Sequence, residues 1–423
     1  MNGPMAPVTL AVVGAGSRGT GYAGFAEQHP DQASVVAVAE PRDAYRDPLV
    51  ARHSVSPDHA FTDWRDLAAA PKLADAVLIC TQDAMHVEPA VAFADAGYHI
   101  LLEKPMATDE DGCRQIVTAV RQAGVLFAVA HVTRYTPFTR RLKAIVDSGA
   151  IGDLVCLQRL EPVGYWHQAH SFVRGNWRNE TESSPMLLAK SCHDLDWIRH
   201  IMGVPCRAVS SFGSLRHFRR EAAPEGAADN CLDCSVESDC PYSAPRYYLE
   251  QLADGHMGWP LDVLTPEPTT ATVTTALREG PYGRCVYGCD NDVVDNQVVN
   301  MEFEGSRSAS FTMTAFTEAA GRRTELFGSR GHIRGDGRHL QVFDFLTDQT
   351  ERIDTAAVDS SILGGHGGGD FGLMDGFVQA VRHDDSSHIL SGPEETLETH
   401  LMVFAAERAR HEQPGRRRGA VAR

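Results

Sequence analysis

An uninterrupted apolar run at residues 8–13 leads into a glycine turn, and a second run covers residues 34–39. Runs of this length fit strands buried on both faces. Residues 76–80, 99–102 and 125–130 repeat the pattern, with helical spacing near 84–96 and 109–123. Strand and helix in alternation predict an α/β unit over residues 1–130, a parallel sheet with helices on both faces.

Past residue 131 the pattern changes. A helix is predicted over 137–147, then a strand over 154–160, a polar stretch rich in aromatics, and a helix near 193–202. Residues 296–303, 309–315, 323–327 and 340–345 alternate as antiparallel strands do. Helical patterns at 370–382 and 394–410 close a second unit over residues 131–411. The glycine run 364–369 reads as a loop, and 412–423, with Arg416-Arg417-Arg418, as a solvated basic tail. No internal repeat is visible.

Composition narrows the partners. The chain has 423 residues, is 43% hydrophobic and 22% charged, and carries a formal charge of −17. That balance disfavours nucleic acid and anionic membrane surfaces. No apolar run approaches the 18 or so residues of a membrane span, and residues 8–13 lack the charged start of a signal peptide. Ten cysteines are too dilute for a disulfide scaffold, which points to a reducing, cytoplasmic location. Of the 39 basic residues, only Lys72, Lys104, Lys143 and Lys190 are lysines.

Gly14-Ala15-Gly16-Ser17-Arg18-Gly19 matches G-x-G-x-x-G between a strand and a helix, and Glu40 ends the next strand 21 residues later. This is the dinucleotide-binding context of a Rossmann fold. Gly14 permits the tight turn, Gly16 lets backbone approach a pyrophosphate, and the helix start around Ser17 and Arg18 offers N–H donors. Glu40 can accept hydrogen bonds from both ribose hydroxyls and repels a 2′-phosphate, although Arg42 could pair with one. NAD is expected over NADP.

Leu101-Leu102-Glu103-Lys104-Pro105 sets a charged pair at the carboxyl end of a buried strand, the edge where open parallel sheets bind ligands. Beside a cationic nicotinamide, Lys104 could take a proton from a hydroxyl while hydride leaves the same carbon. Arginine could not, because it stays protonated. Glu103 can orient the ammonium or touch the cofactor. A surface ion pair at a strand end is the bland alternative.

The glycine motif, Thr81 with His86, and Glu103-Lys104-Pro105 together resemble the glucose–fructose oxidoreductase and inositol dehydrogenase (Gfo/Idh/MocA) family. Arg134-Tyr135-Thr136-Pro137 and Ser148-Gly149-Ala150-Ile151-Gly152 fit its wording too. The resemblance implies an N-terminal Rossmann domain and a C-terminal α/β domain with a large, mostly antiparallel open sheet. It also implies a homo-oligomer (dimer or tetramer), Lys104 as the catalytic lysine, and Thr81 and His86 beside the cofactor.

His193 and Asp196 stand three apart on a predicted helix and share a face, so a carboxylate could hold the imidazole for proton transfer. The family usually carries a further aspartate four residues before that histidine; here the position is Ala189, followed by Lys190. Lys190, with Arg174, Trp177 and Arg178 upstream, could hold a sugar bearing a carboxylate, sulfonate or phosphate. Tyr135, Trp166 and His167 complete the substrate-binding candidates.

Cys231, Cys234 and Cys240 fall within ten residues, with Cys285 and Cys289 further on. A structural zinc held by Cys231, Cys234, Cys240 and Cys289 would staple residues 221–270, which read as a polar insertion. Free thiols are the alternative.

The leading reading is an NAD-dependent oxidoreductase of a sugar, sugar derivative or polyol, with Lys104 as acid/base, His193 assisting and Asp196 orienting it. The second is a glycoside hydrolase that oxidises its sugar transiently, eliminates, adds water and returns the hydride. A non-catalytic NAD-binding regulator is the third, and retention of Lys104 and His193 argues against it.

Overall fold

The computed structural model describes residues 6–356 and 367–412. Residues 364–366 of the expected loop at 364–369 and nearly all of the basic tail lie outside the described residues. Six strands form one parallel sheet: β1 (Val8–Val13), β2 (Ala33–Ala39), β3 (Ala60–Phe61), β4 (Ala76–Ile79), β5 (His99–Leu102) and β6 (Phe127–Val129). Their order is β3-β2-β1-β4-β5-β6. The order reverses between β1 and β4, where Leu10 pairs with Ala76, and such a switch point opens a crevice at the carboxyl ends of the strands.

Alternate residues of β1 serve opposite faces, which is why its apolar run has no gaps. Leu10 and Val12 join a core with Tyr22 and Phe25, while Ala11 and Val13 pack on the opposite side with Phe93 and Ile116. The helix Gly369–His383 also belongs to the first of these cores, through Leu373, Met374, Phe377 and Val378. Each such buried side chain contributes about 1.5–3 kcal/mol. The chain thus returns to its first sheet near its end.

The second sheet has eight strands: β7 (Leu154–Pro162), β8 (Cys206–Ser214), β9 (Asn296–Phe303), β10 (Arg307–Thr314), β11 (Arg323–Gly328), β12 (Gly331–Gly335), β13 (His339–Asp344) and β14 (Gln349–Asp354). Their order is β14-β13-β12-β11-β7-β10-β9-β8, and every pair is antiparallel except β7 with β10. The fold class expected from the sequence is the one observed.

β8 and β14 had no sequence signal because they are edge strands, and an edge facing water needs no apolar run. The helix Met186–Met202 begins seven residues before the expected 193. Its first turn is buried on all sides, so Met186, Leu187, Leu188 and Ala189 show no amphipathic period. The expected polar insertion contains the helices Ala244–Ala253 and Leu261–Leu264, which pack with Thr270–Glu279 just beyond it around Tyr248, Leu261, Val273 and Leu277. Among the described residues, no helix is long and apolar enough to cross a membrane.

Candidate active site

The glycines shape the crevice in three ways. Gly14 has φ 91°, and a Cβ there would lie 2.6 Å from the carbonyl oxygen of Cys80. At Gly19 a Cβ would lie 1.9 Å from the Gly14 carbonyl oxygen, so helix and strand can only approach this closely without one. At Gly16 the nearest atom would be 3.9 Å away, on Arg42. That open space lies before the helix Ser17–Gln28, whose first turn has neither a side-chain cap nor an acidic residue. Uncapped N–H groups facing open space suit a pyrophosphate, so the residues present fit a dinucleotide.

Glu40 is buried at the end of β2, accepting from the Ala15 backbone N–H at 2.9 Å and from Arg42 Nε at 2.7 Å. Burial alone would raise its carboxyl, but the hydrogen bonds from Arg42 and Ala15 hold it below the usual range. Arg42 also stacks on Tyr45, 4.1 Å from the ring centre, so the two interactions occupy its guanidinium.

Glu103 is held on three sides. It accepts from Arg18 Nε at 2.5 Å, from the Tyr22 hydroxyl at 2.7 Å and from the Lys104 backbone N–H at 2.8 Å. Burial would raise this carboxyl too, but Arg18 and Lys104 outweigh it and keep Glu103 ionised. Arg18 donates to Tyr22 as well, and to Asp370 at 2.7 Å. Arg18 therefore braces the end of β5. His86 is likewise internal: its ring nitrogens lie 2.7 Å from the Pro105 carbonyl oxygen and 3.1 Å from that of Thr81. It ties the ends of β4 and β5 together. The Thr81 hydroxyl donates to the Met85 carbonyl.

Lys104 Nζ donates to the Ala189 carbonyl oxygen at 2.8 Å, bringing the strand end of the first sheet to the helix Met186–Met202. The next residue, Lys190, reaches Glu161 at 3.4 Å. Glu161 also takes Arg322 at 2.8 Å. Arg322 in turn sits 2.7 Å from Asp194, which accepts from Arg159 at 2.7 Å. Burial draws the Lys190 ammonium below its usual range, against the pull of Glu161. Burial, then the charges of Lys190, His170, Arg322 and Lys104, push His167 well below the ordinary imidazole range. Trp166 and Trp259 flank it, with ring centres 5.5 and 5.2 Å away. Lys104, His167 and Lys190 thus come together.

Asp196 has structural partners of its own. Arg134 binds it in a two-pronged pair at 2.6 and 2.7 Å, and Thr399 donates to it at 3.1 Å. Both charges are fully buried, and a buried guanidinium requires that counter-charge. His193 packs near His131, with ring centres 5.6 Å apart. His131, at the carboxyl end of β6, is pushed down to about 3 by burial and stays neutral.

Four substrate candidates have structural partners. Tyr135 is buried, its hydroxyl bound to Ser391 and to the Leu390 N–H. Arg174 is buried and donates to the carbonyls of Arg284 and Tyr242, pinning the inserted helices to the domain. Arg178 forms a two-pronged pair with Asp290. Trp177 Nε1 donates to Asp83. Arg159, Glu161, Asp194 and Arg322 were missed by sequence reasoning; the signal available was two charges, Arg159 and Glu161, two apart inside a strand and hence on one face.

The cysteine set also changes. Cys231, Cys234, Cys240 and Cys285 line one small cavity, while Cys289 turns away to the Cys285 carbonyl oxygen. Among the described residues, Glu180, Glu407 and His411 are the one group whose metal-ligating atoms all lie within 4.8 Å of one another. The cysteine sulfurs do not converge in that way, and zinc is not supported. An apolar cluster does the stapling expected of the metal.

Comparison with known proteins agrees with this architecture. Residues 8–131 match the Gfo/Idh/MocA oxidoreductase family's NAD-binding Rossmann fold, and residues 143–413 its C-terminal α/β domain. YteT of Bacillus subtilis (strain 168) is 24% identical over 311 residues, covering 70% of each chain. An inositol 2-dehydrogenase of Klebsiella pneumoniae (strain 342) is 30% identical over 47% of this chain and 56% of its own. A 2,7-anhydro-N-acetylneuraminate hydratase of Escherichia coli (strain K12) is 26% identical over 50% and 54%. Levoglucosan dehydrogenase solved with NADH and L-sorbose superimposes with a TM-score of 0.71 at 19% identity, covering 96% of this chain and 98% of that one. With both family domains matched in sequence and the crevice built for a dinucleotide, the chain belongs to the Gfo/Idh/MocA family of NAD(P)-dependent oxidoreductases.

Proposed function

We propose that this protein is an NAD-dependent oxidoreductase of a sugar, sugar derivative or polyol, with Lys104 as its acid/base. The observation that carries this reading is the position of Lys104 Nζ, at the carboxyl end of β5 and against Ala189 of the second domain. Sugar- and polyol-acting relatives support the substrate class. NAD, when bound, supplies the acceptor or donor of hydride at its nicotinamide. Lys104 takes the hydroxyl proton as the carbinol is oxidised and returns it on reduction. His193 assists from the same helix that holds Lys104. Glu103, fixed by Arg18 and Tyr22, sets the direction of the lysine backbone. Glu40 favours NAD by opposing a 2′-phosphate.

Lys104→Met in the full chain tests the assignment. Turnover is expected to fall about 10²- to 10⁴-fold while NADH binding is retained. Unchanged turnover of an identified substrate would refute it. The hydratase relative and the neutral His167 favour a second reading, net hydration or hydrolysis through transient oxidation. Nitrophenyl glycosides separate the two: nitrophenol without net NADH supports the second, and stoichiometric NADH from free sugars the first.

Phe212 and Val298 face each other across β8 and β9, and both are exposed. This apolar patch on the second sheet supports the expected homo-oligomer, which sedimentation equilibrium would measure.

A further inference from the structure

We propose that the substrate is a carboxylated sugar or polyol whose carboxylate pairs with Lys190 Nζ, a refinement that rests on the oxidoreductase reading above. The argument is one of charge. Around the cleft stand five cations, Lys104, Lys190, Arg18, Arg159 and Arg322, against four carboxylates, Glu103, Glu161, Asp194 and Asp370. Asp196, the next acid, is engaged by Arg134. His167, the neighbouring imidazole that is packed against Trp259, is held neutral and adds no compensation.

One positive charge therefore remains unmatched, and oxidised nicotinamide would add a second. An anionic ligand relieves that imbalance, whereas a neutral sugar leaves it.

The donors also choose among anions. Arg159 and Arg322 spend their guanidinium groups on Asp194 and Glu161, so neither planar fork is free to grip a phosphate. Lys190 is a single point donor, loosely held at 3.4 Å from Glu161, with 19% of its side chain accessible. One ammonium suits one carboxylate. Lys190 follows Ala189, whose carbonyl holds Lys104, so the anchored carboxylate lies one helical residue from the proton-transferring amine.

The test compares matched pairs, glucose with glucuronate and galactose with galacturonate, on the full chain with NAD. kcat/KM is expected to favour the acids by about 10- to 100-fold, the worth of a charge-assisted hydrogen bond. Lys190→Gln should remove that preference mainly through KM, and Lys190→Arg should restore part of it. Equal efficiency for acids and neutral sugars, or a preference that survives Lys190→Gln, would overturn the proposal while leaving the oxidoreductase reading intact. If no pair yields NADH, calorimetry of the NADH-loaded chain with uronates and aldonates decides. Binding lost in Lys190→Gln upholds the carboxylate site even though dehydrogenation of these sugars has failed; no binding refutes it.

Discussion

Lys104 and Ala189 are joined by one hydrogen bond of 2.8 Å, from the ammonium at the end of β5 to a helix carbonyl in the second domain. The acceptor is backbone, so the lysine is positioned without a carboxylate that would pin its proton. Where the family usually has an aspartate, Ala189 offers only this carbonyl. The Lys104 ammonium thus has a backbone carbonyl as its hydrogen-bond partner and Glu103 as its neighbouring charge.

The buried pair of Arg134 and Asp196 leads to a stability prediction. Arg134→Met strands Asp196 without its partner and should cost about 3–5 kcal/mol in chemical denaturation. Asp196→Asn should be destabilising as well. If Asp196→Asn lowers kcat with no loss of stability, Asp196 acts on His193 and the structural role is wrong.

Cofactor choice should turn on Glu40. Glu40→Ala removes the carboxylate and frees Arg42, which that carboxylate now holds at 2.7 Å. The ratio of kcat/KM with NADPH to that with NADH should rise by about 10-fold or more. A ratio unmoved by the substitution would mean that Glu40 does not read the ribose.

Two buried histidines and a half-buried one predict how stability follows pH. Burial pushes His131 and His170 down to about 3, and His200 to about 4. An unfolded histidine titrates near 6.5, so between these values the unfolded chain binds more protons than the folded one. Stability is therefore complete above about pH 6.5 and declines as pH falls toward 4. Asp196, held below its usual range with Arg134 as its partner, adds a further loss only at lower pH. Denaturation midpoints that stay flat from pH 7 to 4.5 would contradict this, and His131→Phe should shallow the slope.

The inserted helices should owe their stability to apolar packing. Leu277→Ala, in the middle of their core, should cost about 2–5 kcal/mol. A strong chelator should leave the unfolding midpoint where it was. A large drop on chelation would reinstate a metal at the cysteine cavity.

The first sheet was legible because both of its faces are covered, so every strand had to be apolar. The same logic located Lys104, since a charge at the end of a buried strand stands out against its surroundings. Polar residues inside the second domain left no such trace. Arg174 and Arg178 read as candidate ligand donors, and only three-dimensional neighbours show that two carbonyls and Asp290 already occupy them. Lys190 was visible as a departure from a family pattern, but its companions Glu161 and Arg322 lie 29 and 132 positions away along the chain. Sequence spacing cannot rank contacts of that range.

The brace on Glu103 has a consequence for synthesis. Arg18 grips Glu103 and Asp370 together, and Asp370 lies 352 residues downstream of Arg18. Met106 likewise donates its backbone N–H to His400, and Ser391 donates its hydroxyl to the Val129 carbonyl. The dinucleotide sheet leaves the ribosome well before the helix that completes its brace. A nascent chain released only as far as residue 130 carries the Arg18–Glu103 contact without Asp370. The brace is complete only once the helix Gly369–His383 has been made.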